Sequence, residues 1–133
     1  MKTEELEKVM NAFFKLKKPW AMTGNLGNRM HAYYAGYKKF PKPNQYNFIV
    51  SNKNAFSKLL MNNMGYGVNT MTSRRNKFTG FKKNSQYPII LHFSNTAPNI
   101  VFYKKYPVQV KSKLATRRSI QRTVFNNLNA SLN

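Results

Sequence analysis

Residues 25–67, NLGNRMHAYYAGYKKFPKPNQYNFIVSNKNAFSKLLMNNMGYG, contain the succession of helix and strand patterns that decides the fold. Apolar residues recur at every third or fourth position of 25–37, which predicts a helix with Tyr33 and Tyr37 in the core. The prolines of FPKPNQ break the chain after this helix, because proline disfavours helix and restricts the residue before it. YNFIV, residues 46–50, is rich in β-branched and aromatic residues and predicts a short strand.

Helical patterns lie on both sides of these elements. Ser51 or Asn52 can cap a helix that carries an apolar stripe and ends before Gly65, which suits the left-handed position past a helix end. Towards the amino terminus, residues 3–17 predict a further helix that Pro19 stops. Its acidic start and basic end both match the helix dipole.

The second half of the chain predicts mainly strands. Polar, basic and glycine-containing sequence at 66–86 predicts a loop or a pair of strands. YPIILHF at 87–93 predicts a strand, and NIVFYKKYPVQV at 99–110 predicts its antiparallel partner, with Pro107 at an edge or a bend. The last segment, 111–133, has apolar residues at steps of four and arginines between them, which predicts a basic amphipathic helix.

This order of elements predicts an α+β fold, with helices packed on a small antiparallel or mixed sheet. Residues 23–133 are expected to form a single RNA-binding α+β domain. Residues 1–22 are expected to form an amino-terminal helical extension, and the basic helix is expected to close the chain.

The charge of the chain predicts a polyanionic partner. The 133 residues include 23 Lys and Arg but only three Asp and Glu, which gives a formal net charge of +20. All of the acids lie at Glu4, Glu5 and Glu7, so the body of the chain has no carboxylate side chain to compensate its own repulsion. We predict a nucleic-acid partner rather than a membrane, since no apolar run approaches the roughly 20 residues of a spanning helix.

The distribution of these charges favours folded RNA. Basic residues occur on every predicted loop and on the last helix, whereas readers of duplex DNA usually concentrate them on one element. Lysine and arginine neutralise phosphates, and exposed aromatic rings stack on unpaired bases at about 1 to 3 kcal/mol each. We predict that Tyr34 stacks and that the other RNA contacts come from Arg29, Lys38, Lys39, Lys53, Arg74, Arg75, Lys77, Lys82, Lys83, Lys104, Lys105, Lys111, Lys113, Arg117, Arg118 and Arg122.

Few residues are available for catalysis. The chain has no Asp and no Cys, so the side chains needed for paired-carboxylate catalysis, two-metal chemistry and thiolate metal sites are almost absent. We therefore expect no cofactor, metal or small-molecule substrate. His31 and His92 allow one enzymatic alternative, a metal-independent ribonuclease with one imidazole as base and the other as acid. We expect both to be structural or RNA-facing, and we expect the protein not to be an enzyme.

Residues 25–67 resemble the amino-terminal half of the bacterial-type small-subunit ribosomal protein eight family. LGNRMHAYYAG is similar to the family's opening helix, and FIVSNKNAFSKLLMNNMGY has its order of strand, serine cap, helix and glycine followed by a large apolar residue. The matching positions are Leu26, Met30, Tyr33, Gly36, Ser51, Leu59, Leu60, Gly65 and Tyr66. The family's Ser-Thr-Ser-Lys-Gly loop has no counterpart in this chain, so no RNA-binding residue is transferred from it.

The resemblance implies a structural constituent of a small ribosomal subunit that binds ribosomal RNA and touches neighbouring ribosomal proteins. Abundant Lys, Asn, Phe, Tyr and Ile, which have A/T-rich codons, indicate an organelle or phage genome. The amino end lacks arginine and carries acids, unlike a transit peptide, so we expect an organelle-encoded protein of the mitochondrial matrix. The alternative is a phage-encoded DNA-binding or nucleoid-remodelling protein in the host cytoplasm or the virion.

Overall fold

The computed structural model describes residues 4–34, 36, 44–83, 85, 87–95 and 98–110. In chain order the elements are α1 (Glu4–Leu16), β1 (Trp20–Met22), α2 (Gly24–Tyr34), β2 (Tyr46–Val50), α3 (Lys53–Lys58) continued by a π-helical turn (Leu59–Asn63), β3 (Gly67–Val68), β4 (Lys77–Phe81), β5 (Ile89–Phe93), β6 (Ile100–Tyr103) and β7 (Tyr106–Gln109). These elements confirm the α+β fold. The predicted carboxyl-terminal helix, 111–133, lies outside the described residues.

The strands form one seven-stranded sheet in the order β3, β4, β5, β2, β1, β7, β6. The sheet is mixed, because β2 runs parallel to β5 and β1 parallel to β7, while the remaining neighbours are antiparallel. A mixed sheet was one of the two predicted arrangements. The parallel pairs place strands distant in sequence at the centre of the fold.

The predicted hairpin between 87–93 and 99–110 is wrong. β5 pairs with β2 and β4, and residues 100–109 fold back on themselves as the β6–β7 hairpin at the far side of the sheet. The two-residue turn consists of Lys104, whose φ is 55°, and Lys105. Lysine is not a typical turn residue, so the sequence of the turn gives no signal, and two strands were interpreted as one. Pro107 accordingly lies in β7, between β1 and β6, and not at an edge.

One core lies between the three described helices and one face of the sheet. Phe13 of α1 is fully buried at its centre, and its ring meets Trp20, Phe48 and Phe56 edge-on at centroid distances of 5.4, 5.0 and 5.0 Å. Edge-to-face ring pairs at these distances stabilise a fold by more than the burial of their apolar area alone. Helix α1, predicted as part of an extension, is therefore packed in the same core as the rest of the described chain. None of the described helices is both long and apolar enough to cross a membrane.

The predicted burial of Tyr33 is wrong, since its side chain is 61% exposed. Helix α2 instead buries Leu26, Gly27 and His31. A Cβ on Gly27 would lie 3.3 Å from the Met22 carbonyl oxygen, so the missing side chain lets the helix approach the sheet closely along this stripe. The helix is thereby rotated so that the tyrosines at its carboxyl end face away from the core. Tyr37, the second predicted core tyrosine, lies outside the described residues.

Candidate nucleic-acid interface

The strand registers bring several basic segments to one end of the sheet. Trp20 lies opposite Val50, and Val50 lies opposite Phe93. Lys77 lies opposite His92. The amino ends of β1 and β4 therefore meet the carboxyl ends of β2 and β5, and the β6–β7 turn joins them because β7 runs parallel to β1.

We call this surface the basic end. It combines the segment before β1, the start of α3 directly after β2, the segment leading into β4 and the β6–β7 turn. Its cationic side chains are exposed, except for half-buried Lys77. They are Lys17, Lys18, Lys53, Arg74, Arg75, Lys77, Lys104 and Lys105. The side chains come from four parts of the chain, so phosphates can approach from several directions.

The Glu5 carboxylate lies at the opposite end of the molecule. Glu5 accepts hydrogen bonds from the Tyr66 hydroxyl at 2.8 Å and from Lys82 Nζ at 3.3 Å, next to the outer ends of β3 and β4. Burial, with the neighbouring Glu5 carboxylate adding to it, raises the pKa of Tyr66, so the phenol stays protonated and donates. Glu4 precedes Glu5 in the first turn of α1, so these two acids and the basic end are separated along the molecule. This separation leaves the potential of the basic end uncompensated.

Backbone and side-chain hydrogen bonds hold the loops of the basic end in place. Arg74 and Lys77 exchange backbone hydrogen bonds with nitrogen to oxygen distances of 2.7 and 3.1 Å. Lys53 Nζ donates to the carbonyl of Arg75 at 3.1 Å. The arginine side chains are thus presented by a closed turn, which reduces the entropy lost when they bind a ligand.

A row of tyrosines runs beside the basic end. The rings of Tyr33 and Tyr34 meet edge-on at 5.1 Å, and Tyr34 stacks on Tyr103 at 5.0 Å. Tyr106 lies opposite Tyr103 across the hairpin, and Lys105 Nζ sits 5.5 Å from its ring centroid. We call these four residues the tyrosine strip. Rings placed next to cations are the combination that binds unpaired nucleotides, by stacking on bases and neutralising phosphates.

A groove separates α1 from α2 next to this strip. Its volume is about 380 Å³, within the roughly 300 to 1,000 Å³ of small-ligand sites. Buried Leu6 and Met10 line it together with half-buried Met30. The other residues that line it are Glu7, Arg29, Tyr33, Tyr34 and Tyr106. An apolar lining with aromatic and charged groups at its mouth can accept a flat heterocycle.

His31 is held inside the protein. It is 3% exposed, its Nδ1 lies 2.5 Å from the Tyr103 hydroxyl, and its Nε2 lies 3.3 Å from the carbonyl oxygen of Gln109. A carbonyl only accepts, so Nε2 carries the proton and Nδ1 accepts from Tyr103. Burial lowers the pKa of His31, against the opposing effect of the Gln109 hydrogen bond. A ribonuclease reaction with His31 as base would require release of this side chain from both contacts.

The structure separates the predicted RNA-contacting residues into groups. Six of them, Lys53, Arg74, Arg75, Lys77, Lys104 and Lys105, belong to the basic end. Arg29 and Tyr34 line the groove, while Lys82 and Lys83 follow β4 at the opposite end, where Lys82 is paired with Glu5. The remaining predicted residues, Lys38, Lys39, Lys111, Lys113, Arg117, Arg118 and Arg122, lie outside the described residues.

Lys17 and Lys18 were missed by the sequence analysis. Both were explained by the dipole of the first helix, whereas both are exposed at the basic end, directly before Pro19 and β1. Strand β1 has only three residues, too few for an alternating pattern, so it was not predicted. The short apolar run WAM after Pro19 is the signal for this strand. A strand predicted there would have placed the two lysines at its start.

No protein-family model matches this chain, and neither does any curated protein or solved structure. The resemblance of residues 25–67 to the ribosomal family therefore stays a prediction. In the part of the chain that the structure describes, no three His, Asp or Glu side chains are grouped as a metal site would need.

Proposed function

We propose that this protein is a non-catalytic RNA-binding component of a ribonucleoprotein particle, and that the basic end is the surface that contacts RNA. The observation that carries the proposal is the convergence of cations from four chain segments on one end of the sheet, away from Glu4 and Glu5. Bound phosphates would relieve the repulsion among these cations and release counterions from the RNA. Binding by this surface is expected to weaken steeply with salt.

Folded RNA suits this surface better than duplex DNA. Readers of DNA sequence usually place a helix or a two-stranded ribbon in the major groove. In the described part of the chain the basic end consists mainly of loops and strand ends, which follow an irregular path of phosphates. The adjacent tyrosine strip adds a place for unpaired bases, which are common in the loops and bulges of folded RNA. A DNA-binding phage protein remains the alternative that experiment must exclude.

The particle that we propose is the small ribosomal subunit, because residues 25–67 resemble a family of its proteins. Ribosomal RNA would then be the ligand of the basic end, and neighbouring ribosomal proteins would contact other surfaces. The A/T-rich codon usage that the composition implies fits an organelle or a phage genome, and together with the ribosomal resemblance it leads us to propose the mitochondrial matrix as the location.

Sedimentation tests the proposed function. An organelle or cell extract is washed with high salt and run through a sucrose gradient, and the protein is followed by mass spectrometry. Comigration with the small ribosomal subunit is expected. Release to the top of the gradient would contradict a structural ribosomal component, and migration with DNA would favour the phage alternative.

A further inference from the structure

The groove between α1 and α2 contains a carboxylate that the RNA-binding surface itself does not explain. Glu7 is exposed at its mouth, and the described part of the chain gives it no ion pair or hydrogen bond. Of the two other acids, Glu5 is bonded to Tyr66 and Lys82, and Glu4 does not line the groove. Glu7 therefore provides a carboxylate acceptor in a groove whose remaining lining is apolar and aromatic except for Arg29.

A carboxylate in this position selects a ligand with two adjacent donors. An ionised carboxylate only accepts, and its two oxygens match two parallel N–H groups. Among the bases of RNA, the Watson–Crick edge of guanine presents N1–H next to the N2 amino group. Adenine and cytosine place a ring nitrogen acceptor next to their amino group, and uracil places its single N–H between two carbonyls, so each would set an acceptor against Glu7.

The groove also suits the size and shape of one base. Leu6, Met10 and Met30 provide apolar contact, and the exposed ring of Tyr33 stands at the rim, where a base can stack on it. Tyr106 connects the groove to Lys105 of the basic end, whose ammonium lies 5.5 Å from its ring centroid. A nucleotide with its base in the groove would thus have its phosphate within the field of the basic end.

We propose that this groove binds a single unpaired guanine of the RNA, with Glu7 accepting hydrogen bonds from guanine N1–H and from the N2 amino group. The proposal rests on the proposed function, because it adds base selection to a surface that binds phosphates. The competing explanation for Glu7 is the favourable effect of an acid near the amino terminus of a helix. Glu4 has the same role in the first turn of α1 but does not line the groove, so it provides a matched control.

The experiment uses the full chain and fluorescently labelled uridine dodecamers that carry one central guanosine, inosine, adenosine, cytidine or uridine. Dissociation constants are measured by fluorescence anisotropy at one salt concentration for wild type, Glu7→Gln and Glu4→Gln. We expect wild type to bind the guanosine oligomer about 10-fold more tightly than the adenosine, cytidine and uridine oligomers, as for a bidentate base contact. Inosine, which lacks the N2 amino group, is expected to bind with intermediate affinity.

The variants separate base selection from general binding. Glu7→Gln is expected to bind all five oligomers within about 2-fold of one another, because the amide places a donor against the guanine donors. Glu4→Gln is expected to keep the wild-type preference. Equal affinity of wild type for the five oligomers, or a guanosine preference that survives in Glu7→Gln, would overturn the guanine site but leave the proposed function standing. Failure of wild type to bind both the oligomers and a folded RNA would overturn the guanine site and the proposed function together.

Discussion

The rings of Tyr34 and Tyr103 are stacked with their centroids 5.0 Å apart and their planes 1° from parallel. One ring belongs to the carboxyl end of α2 and the other to the β6–β7 hairpin, so the stack joins two elements that are distant in sequence. Burial raises the pKa of Tyr103. Burial, with a smaller effect of Tyr106 and Tyr33, also raises the pKa of Tyr34. These phenols therefore stay neutral at physiological pH and present a fixed aromatic surface beside the basic end.

The exposed member of the tyrosine strip is expected to stack on an RNA base. Tyr33→Ala should weaken binding of single-stranded RNA by about 1 to 3 kcal/mol, because each base stacked on an aromatic ring contributes about that much. The unfolding free energy should hardly change, since the Tyr33 side chain is 61% exposed. Fluorescence anisotropy measures the affinity. Tyr33→Phe keeps the ring and should bind like wild type, so an equal loss in Tyr33→Phe would argue against stacking.

Helix α1 is expected to be essential to the core. Phe13→Ala should lower the unfolding free energy by about 3 to 5 kcal/mol, because it removes a fully buried ring and leaves a cavity among other rings. Urea unfolding followed by circular dichroism measures the change. The control is Phe102→Ala, whose side chain is 63% exposed and should cost less than about 0.5 kcal/mol. A Phe13→Ala loss as small as that of Phe102→Ala would show that α1 does not pack as described.

The hydroxyl of Tyr66 is expected to anchor the start of α1 to the sheet. Tyr66→Phe should lower the unfolding free energy by about 1 to 2 kcal/mol, because a buried donor and its carboxylate acceptor on Glu5 lose their hydrogen bond. The same substitution in a Glu5→Gln background should cost less, since the charged acceptor is already gone. Equal losses in the two backgrounds, measured as a double-mutant cycle by urea unfolding, would show that the two groups are not coupled.

His31 is expected to make the fold less stable in mild acid. Its pKa is lowered by burial in the folded protein, whereas the unfolded chain titrates near the usual value of about 6.5. As the pH falls through that value, the unfolded chain takes up a proton that the folded chain does not, so the unfolding free energy decreases.

Urea unfolding at about pH 7.5 and about pH 5.5, either side of the usual histidine pKa, tests this prediction. Wild type should be less stable at the lower pH, and His31→Gln should lose part of that difference. A pH dependence that is unchanged in His31→Gln would assign the effect to other groups.

Helices and strands were predictable where the spacing of apolar residues and the flanking turn or capping residues defined the element locally. YNFIV forms β2 at Tyr46–Val50 as predicted, because its turn-rich flanks and apolar content define a strand without help from the rest of the fold. Asn52, one of the two predicted caps, does cap α3, its side chain accepting a hydrogen bond from the Ala55 N–H at 3.0 Å. The helical segment ends at Asn63, and Gly65 beyond it has a φ of 76°, as predicted. The change to a π-helical turn after Lys58 has no signal in the sequence.

The candidate interface was predictable in its chemistry but not in its arrangement. The charge identified cationic residues such as Arg74 and Lys104, but only the registers that connect β4 through β5, β2 and β1 to β7 show that the two lie at the same end of the sheet. The exposure of Tyr33 depends on the close approach of Gly27 to Met22, which is a tertiary contact. The helical period alone assigns Tyr33 to the apolar stripe and so predicts a buried side chain.

The salt dependence of RNA binding tests the central claim most directly. Affinity for a folded ribosomal RNA fragment is measured across a salt series for wild type, for a basic-end variant with Arg74, Arg75, Lys104 and Lys105 changed to Ala, and for a control with Lys8, Lys15, Lys58 and Lys83 changed to Ala. The two variants lose the same charge from exposed positions. We expect the basic-end variant to bind more weakly and its slope of log affinity against log salt to fall by about 1 for each lost phosphate contact, with a smaller effect in the control. Equal slopes in the two variants would contradict the assignment of RNA binding to the basic end.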